Sequence, residues 1–289
     1  MLAATAAMFG SSFLFMSEGL ESLNPGLITF LRLLLGTATL ALLPSARTVR
    51  LEREDWGRVA ALGVVWMAVP FVLFPVAQQW VDSAVAGMIT GATPLFSAVV
   101  ASVLLRRLPG RIQRWGLLIG FLGVFAVTWP TLRGADSGTV GVLLVVAAVG
   151  CYGFATNMAV PLQQRYGSIP VLLRAQLVAL VAVTPLGLAS IPGSHAGGLS
   201  LAAMVPLGVL GTGLALVTIT TLVGRAGASR GSVAIYFVPP VALFLGVVAL
   251  GEQVEALSFF GMALVVAGAW LTSRADMGIV AIPEGVSEI

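Results

Sequence analysis

Charge is what this chain of 289 residues has least of: 9% of its residues are charged, against roughly 25% in an ordinary soluble domain. There is no lysine; all 15 basic residues are arginine. With 58% hydrophobic residues and a mean hydropathy of +1.02, the chain lacks the polar residues to clothe a soluble globule. A lone cysteine, Cys151, excludes an intrachain disulfide, and one histidine, His195, leaves too few ligands for a metal cluster. No Asp, Glu, Lys or His lies deep inside an apolar run. An intramembrane hydrolase or transferase would need such groups clustered, so no catalytic residue, cofactor or metal site is expected.

What is present is apolar sequence spread over nearly the whole length, in long continuous runs such as Leu31 to Pro44. A single anchor on a soluble domain would concentrate it, and a transmembrane barrel would alternate it. The remaining class is an all-α polytopic membrane protein, because a bilayer leaves helices as the way to satisfy such a backbone. At about 20 residues per span, ten spans leave room for short loops and no soluble domain. They are expected near 2–20, 25–44, 57–79, 83–105, 114–132, 139–159, 169–191, 200–223, 230–250 and 256–273. The run beginning at Met1 reads as a retained first helix, without the basic region and cleavage site of a signal peptide. Trp56, Trp80, Trp115, Trp129 and Trp270 stand at run ends, as interfacial aromatics do.

The arginines orient the chain. Arg47, Arg50, Arg53, Arg58, Arg106, Arg107, Arg111, Arg114, Arg165, Arg225, Arg230 and Arg274 fall on one side, Arg133 alone on the other. The positive-inside rule makes the first side cytoplasmic and puts both termini there. Glu18, Glu21, Asp82, Asp136, Glu252 and Glu255 fall outside. This distribution accounts for the pI of about 9.7 without a nucleic-acid partner.

The chain also resembles itself at an offset of 145 residues: Pro25 matches Pro170, Leu62-Gly63-Val64 matches Leu207-Gly208-Val209, Pro94 matches Pro239, Gly116 matches Gly261 and Gly123 matches Gly268. Five helices per half force the second half to enter upside down. Loop charge follows: the loops with Arg47 to Arg58 and Arg106 to Arg114 have mates without arginine. The expected architecture is therefore two inverted five-helix repeats, 1–132 and 133–274, with a cytoplasmic tail over 275–289.

Gly10-Ser11-Ser12-Phe13, Leu31-Arg32, Thr93-Pro94-Leu95-Phe96 and Leu250-Gly251-Glu252, the last followed by Gly261 and Gly268, resemble the EamA-type family of the drug/metabolite transporter superfamily. The resemblance covers about residues 1–274. It departs at Arg106-Arg107, where the family usually has a Gly-Glu turn. It implies export or facilitated passage of small metabolites across a bacterial inner membrane, by a monomer or homodimer. It also implies a central cavity between helices 1, 3, 4, 6, 8 and 9. Polar residues on those helices are the substrate-binding candidates: Ser11, Ser12, Gln78, Thr90, Thr93, Tyr152, Asn157, Thr212 and Tyr236. Pro94 and Pro239 are candidate bends between moving halves. Against this stand interhelical bonding by the same hydroxyls and a membrane sensor or scaffold without transport.

Arg32 stands about 10 Å into the second helix, where a charge costs about 2.5–3.5 kcal/mol on insertion scales. Two readings compete: an ion pair with Glu18 bracing helices 1 and 2, or snorkelling to carbonyls. Direct contact with substrate is disfavoured, because the resemblance puts helix 2 outside the cavity. Arg174, near the cytoplasmic end of helix 7, reads as snorkelling.

Overall fold

The computed structural model describes residues 1–134, 136–195, 197–226 and 233–275. Arg230, the expected start of a helix there, and the tail from 276 lie outside these. Among the described residues all regular structure is helical. In chain order the helices are α1 (Leu2–Leu20) and α2 (Pro25–Ala41), then α3 (Arg53–Ala77), α4 (Ser83–Leu104) and α5 (Arg111–Gly134). There follow α6 (Asp136–Tyr166), α7 (Ser168–Ala189), α8 (Gly198–Leu222), α9 (Ala234–Ala249) and α10 (Ala256–Arg274). Seven of them, α3 to α8 and α10, are long and apolar enough to cross a membrane; α2 and α9 are shorter apolar helices.

Their outward faces are those of a membrane protein. Leu118, Leu122 and Phe125 of α5 are 51%, 54% and 54% exposed, and Phe244 and Val248 of α9 are 62% and 66% exposed. Water would make such bands an aggregation surface, whereas lipid covers them. The α6 helix runs well past the expected end at 159. Its last turn is held by Tyr166 and Arg165, whose hydroxyl and guanidinium donate to Asp55 Oδ2 at 2.7 and 2.8 Å, and Arg165 also reaches Glu52 at 2.7 Å.

Several local irregularities recur at related places. The α3 helix carries a π-helical stretch at Val64–Ala68 and α8 another at Pro206–Leu214. The α4 helix breaks at Gly91 and Ala92, and α9 at Phe237. Pro94 has no N–H to offer Thr90, and the Thr93 hydroxyl donates to the Thr90 carbonyl instead, at 2.7 Å. A Cβ on Gly91 would meet Pro239 at 2.5 Å, so the two breaks lie against each other. After α4, Arg106 has φ +50°, and after α9, Gly251 has φ +68°.

The tightest junction is that of α5 with α10. A Cβ on Gly116 would come within 2.8 Å of the Gly268 carbonyl, and one on Gly123 within 2.7 Å of the Gly261 carbonyl. Seen from α10, a Cβ on Gly261 would meet the Gly123 carbonyl at 2.8 Å and one on Gly268 the Gly120 backbone at 2.4 Å. Small residues let two backbones touch, which is how helices gain dispersion energy where lipid removes the hydrophobic drive.

Candidate functional site

A cavity of about 340 Å³ opens between α1, α3, α4, α6, α8 and α9. It extends from Met16, Phe74 and Arg32 down to Gln163, Ser168 and Ile235. Its walls are mainly aromatic and aliphatic: Phe9, Phe13, Trp66, Phe71, Phe74 and Leu216 among them. Phe13 meets Phe74 edge-on at 5.6 Å between centroids, and Phe74 lies 5.8 Å from Tyr152. No carboxylate or imidazole is among its described lining residues.

Five of the nine polar candidates line this cavity: Ser12, Thr90, Thr93, Tyr152 and Thr212. The other four bond elsewhere. The Ser11 hydroxyl donates to Met8 of its own helix at 3.3 Å, on the outer face of α1. Gln78 donates to the Phe13 carbonyl at 3.3 Å, tying α3 to α1. Asn157 donates to the Ser97 carbonyl at 3.0 Å, tying α6 to α4. The Tyr236 hydroxyl lies 2.7 Å from Ser273 Oγ, tying α9 to α10. Thr156, Gln163, Ser168 and Thr220 also line the cavity.

Arg32 corrects two expectations. It lines the cavity, although α2 otherwise stays outside it. It also makes no ion pair with Glu18. Instead Nε donates to Thr212 Oγ1 at 2.8 Å, Nη1 lies 3.6 Å from Met16 Sδ, and the guanidinium stacks 3.8 Å over the Phe71 ring. Helix geometry gives the reason. Glu18 stands two residues from Met16, about 200° around α1, so the turn that offers Met16 to Arg32 carries Glu18 away. Arg174 behaves as expected of a snorkelling residue: its guanidinium caps the Pro170 and Ala46 carbonyls, each at 3.0 Å, and that of Val49.

Polar contacts tie the helix ends on the side of the cavity where Arg32 lies. Glu252 accepts from the Ser83 and Ala84 N–H groups at 2.7 and 2.9 Å, capping the start of α4 with both carboxylate oxygens. Gly246 leaves the room for it, since a Cβ there would lie 2.3 Å from Glu252 Oε2. Ser200 donates to the Glu18 carbonyl at 2.8 Å, and the Asn24 N–H donates to Ser194 Oγ at 2.9 Å. Asp82, though water reaches it, is crowded at this turn. Burial, and after it the Glu252 carboxylate, push its carboxyl above its ordinary value.

A family model described as the EamA-like transporter family matches residues 1–129 and 139–274. Among curated proteins, the chain is 30% identical over 281 residues to a "Probable terminal-alkyne amino-acid exporter" of Streptantibioticus cattleyicolor, covering 96% of this chain and 93% of that one. It is 25% identical over 274 residues to an "Uncharacterized transporter" of Archaeoglobus fulgidus, covering 94% and 97%. A solved crystal structure of 18% identity superposes with a TM-score of 0.68 over 96% of this chain and 97% of its own, which shows a shared fold.

Proposed function

The chain belongs to the EamA-like transporter family, and on that premise we propose that the cavity between α1, α3, α4, α6, α8 and α9 is its solute pathway. Such a chain is a multi-pass membrane transporter and not an enzyme. The observation that carries the pathway reading is a cavity of about 340 Å³ lined by hydroxyls and aromatics. Such a lining replaces solute hydration, and Arg32 is the one fixed charge among its described residues.

All ten helices cross the membrane in this reading, as two inverted repeats over 1–132 and 133–274. The paired irregularities support it, because each lies at the 145-residue offset from its mate: the π-helical stretches of α3 and α8, the breaks of α4 and α9, and the left-handed residues Arg106 and Gly251. The α5–α10 junction supports it further. Gly116 opposes the mate of Gly123, and Gly123 opposes the mate of Gly116, a reciprocity that a two-fold axis produces.

The arginine bias orients the protein with both termini in the cytoplasm of a bacterial cell. The cavity then opens inward, past Gln163 and Ser168, and is shut outward by Glu252 on α4. The function is export or facilitated passage of a small amphipathic metabolite, amino-acid-like solutes included, by alternating access. The named activity of the Streptantibioticus relative accords with that class. A cavity lining without carboxylate or imidazole favours facilitated movement or exchange over proton coupling.

Counterflow in proteoliposomes against amino acids, sugars and amphipathic drugs tests this. Accelerated exchange of at least one of them is expected; none, from monodisperse protein, overturns the reading. In a Cys151→Ala background, cysteines replacing Arg50 and Gln253 are expected to label from opposite sides. Labelling from one side would refute the inverted repeat.

A further inference from the structure

We propose that Arg32 is the anion anchor of the cavity, and that the solute is a small carboxylate with an apolar body, of which an apolar amino acid is one example. The inference rests on the pathway reading above and adds the substrate class to it.

The guanidinium is 95% buried by its residue's exposure of 5%, and no carboxylate lies among the cavity residues. It carries five N–H donors. Nε is taken by Thr212 at 2.8 Å, and the thioether of Met16, 3.6 Å from Nη1, is a weak acceptor. Among the described residues Nη2 has no acceptor. One face is stacked on Phe71 at 3.8 Å. With Nε fixed and a face covered, the group is held rigid and its Nη1–Nη2 edge is left over. That edge takes a carboxylate through two parallel hydrogen bonds, the strongest pairing arginine makes. A cation kept in an apolar site without an acid is unstable until an anion arrives.

The surroundings set the rest of the molecule. Phe13, Phe74, Trp66 and Phe9 provide an apolar chamber, so the body beyond the carboxylate is a small hydrocarbon or aromatic group. An ammonium on the same solute finds uncharged acceptors, the hydroxyl oxygens of Ser12, Thr90, Thr93 and Tyr152 among them. A zwitterion therefore fits, and a dication or an amine without a carboxylate fits less well. Sugars lack both the anion and the apolar body.

The test compares leucine, 4-methylpentanoate and leucinamide, each labelled, for uptake into proteoliposomes of the wild-type protein. They share one apolar body and differ in the carboxylate and the amine. Leucine and 4-methylpentanoate are expected to be taken up with KM values at least about tenfold below that of leucinamide, the range of one hydrogen-bonded charge. Arg32→Gln is expected to remove that preference, its fold being checked by a monodisperse profile in size-exclusion chromatography. Arg32→Lys is expected to restore part of it. Equal uptake of leucine and leucinamide by the wild type overturns the anchor and leaves the transporter reading standing. Absence of uptake for all three compounds, together with silence in the broader counterflow panel, removes the transporter reading itself. The wild-type comparison decides the matter even if Arg32→Gln does not fold.

Discussion

Arg32 of α2 and Thr212 of α8 are 180 positions apart in sequence and joined by a 2.8 Å hydrogen bond. Thr212 passes the polarity on, donating from the same oxygen to the Leu207 carbonyl at 3.0 Å. That is a bond to the fifth residue back, in the π-helical stretch where the ordinary ladder is widened. The π-turn and the buried cation are thus one arrangement.

Thr212→Val keeps the shape and removes the acceptor. A charged donor left without it costs about 1.5–3 kcal/mol. Thermal unfolding in detergent is expected to show a lower midpoint for Thr212→Val and little change for Thr212→Ser.

Asp82 supplies a pH dependence. Its carboxyl is raised from the ordinary 3.8 by burial and by Glu252. The folded chain holds that proton more tightly than the unfolded chain, so stability falls as pH rises from 3.8 through the raised value. Asp82→Asn is expected to unfold later than the wild type at pH 7, with the margin shrinking as pH approaches 3.8. Melting curves of both proteins across that range check the sign.

Arg106 occupies a left-handed backbone position, φ +50°, and Gly251, 145 positions on, another at +68°. A side chain there costs roughly 1–2 kcal/mol that glycine avoids, offset in part by the greater freedom of glycine when unfolded. Arg106→Gly is expected to stabilise the fold by about 0.5–1 kcal/mol. A lower or unchanged melting temperature would contradict the strain.

Gly268 meets backbone atoms of Gly120 at 2.4 Å from its ideal Cβ position, and backbone cannot swing aside as a side chain can. Gly268→Leu is expected to abolish monodisperse protein in size-exclusion chromatography. Gly57→Ala, with nothing within 4 Å, is expected to leave it unchanged.

The membrane class and most helix ends could be read from sequence, since bilayer thickness, arginine placement and a duplicated pattern each constrain them; the helices around the cavity came from the family resemblance. The sixth helix was not read to its end, because its last turn is secured by Asp55, a residue more than a hundred positions away. The polar candidates divided for the same kind of reason. Tyr236 and Thr212 are both hydroxyl residues on cavity helices, yet one turns to Ser273 and the other to Arg32. Rotation of a helix about its axis decides that, and a nearly uniform apolar sequence leaves the rotation unmarked. Arg32 was visible as an anomaly, but its partner was not, since the expected acid, Glu18, lies on the wrong side of α1.

None of the residues lining the cavity belongs to α5 or α10. In the reading proposed above, the glycine crossing of those two helices holds the halves together away from the solute pathway. Joining the repeats and choosing the cargo then fall to different helices. Descendants of such a protein can exchange one cargo for another by changing side chains on α1, α3 or α8, while the weld between the halves stays as it is.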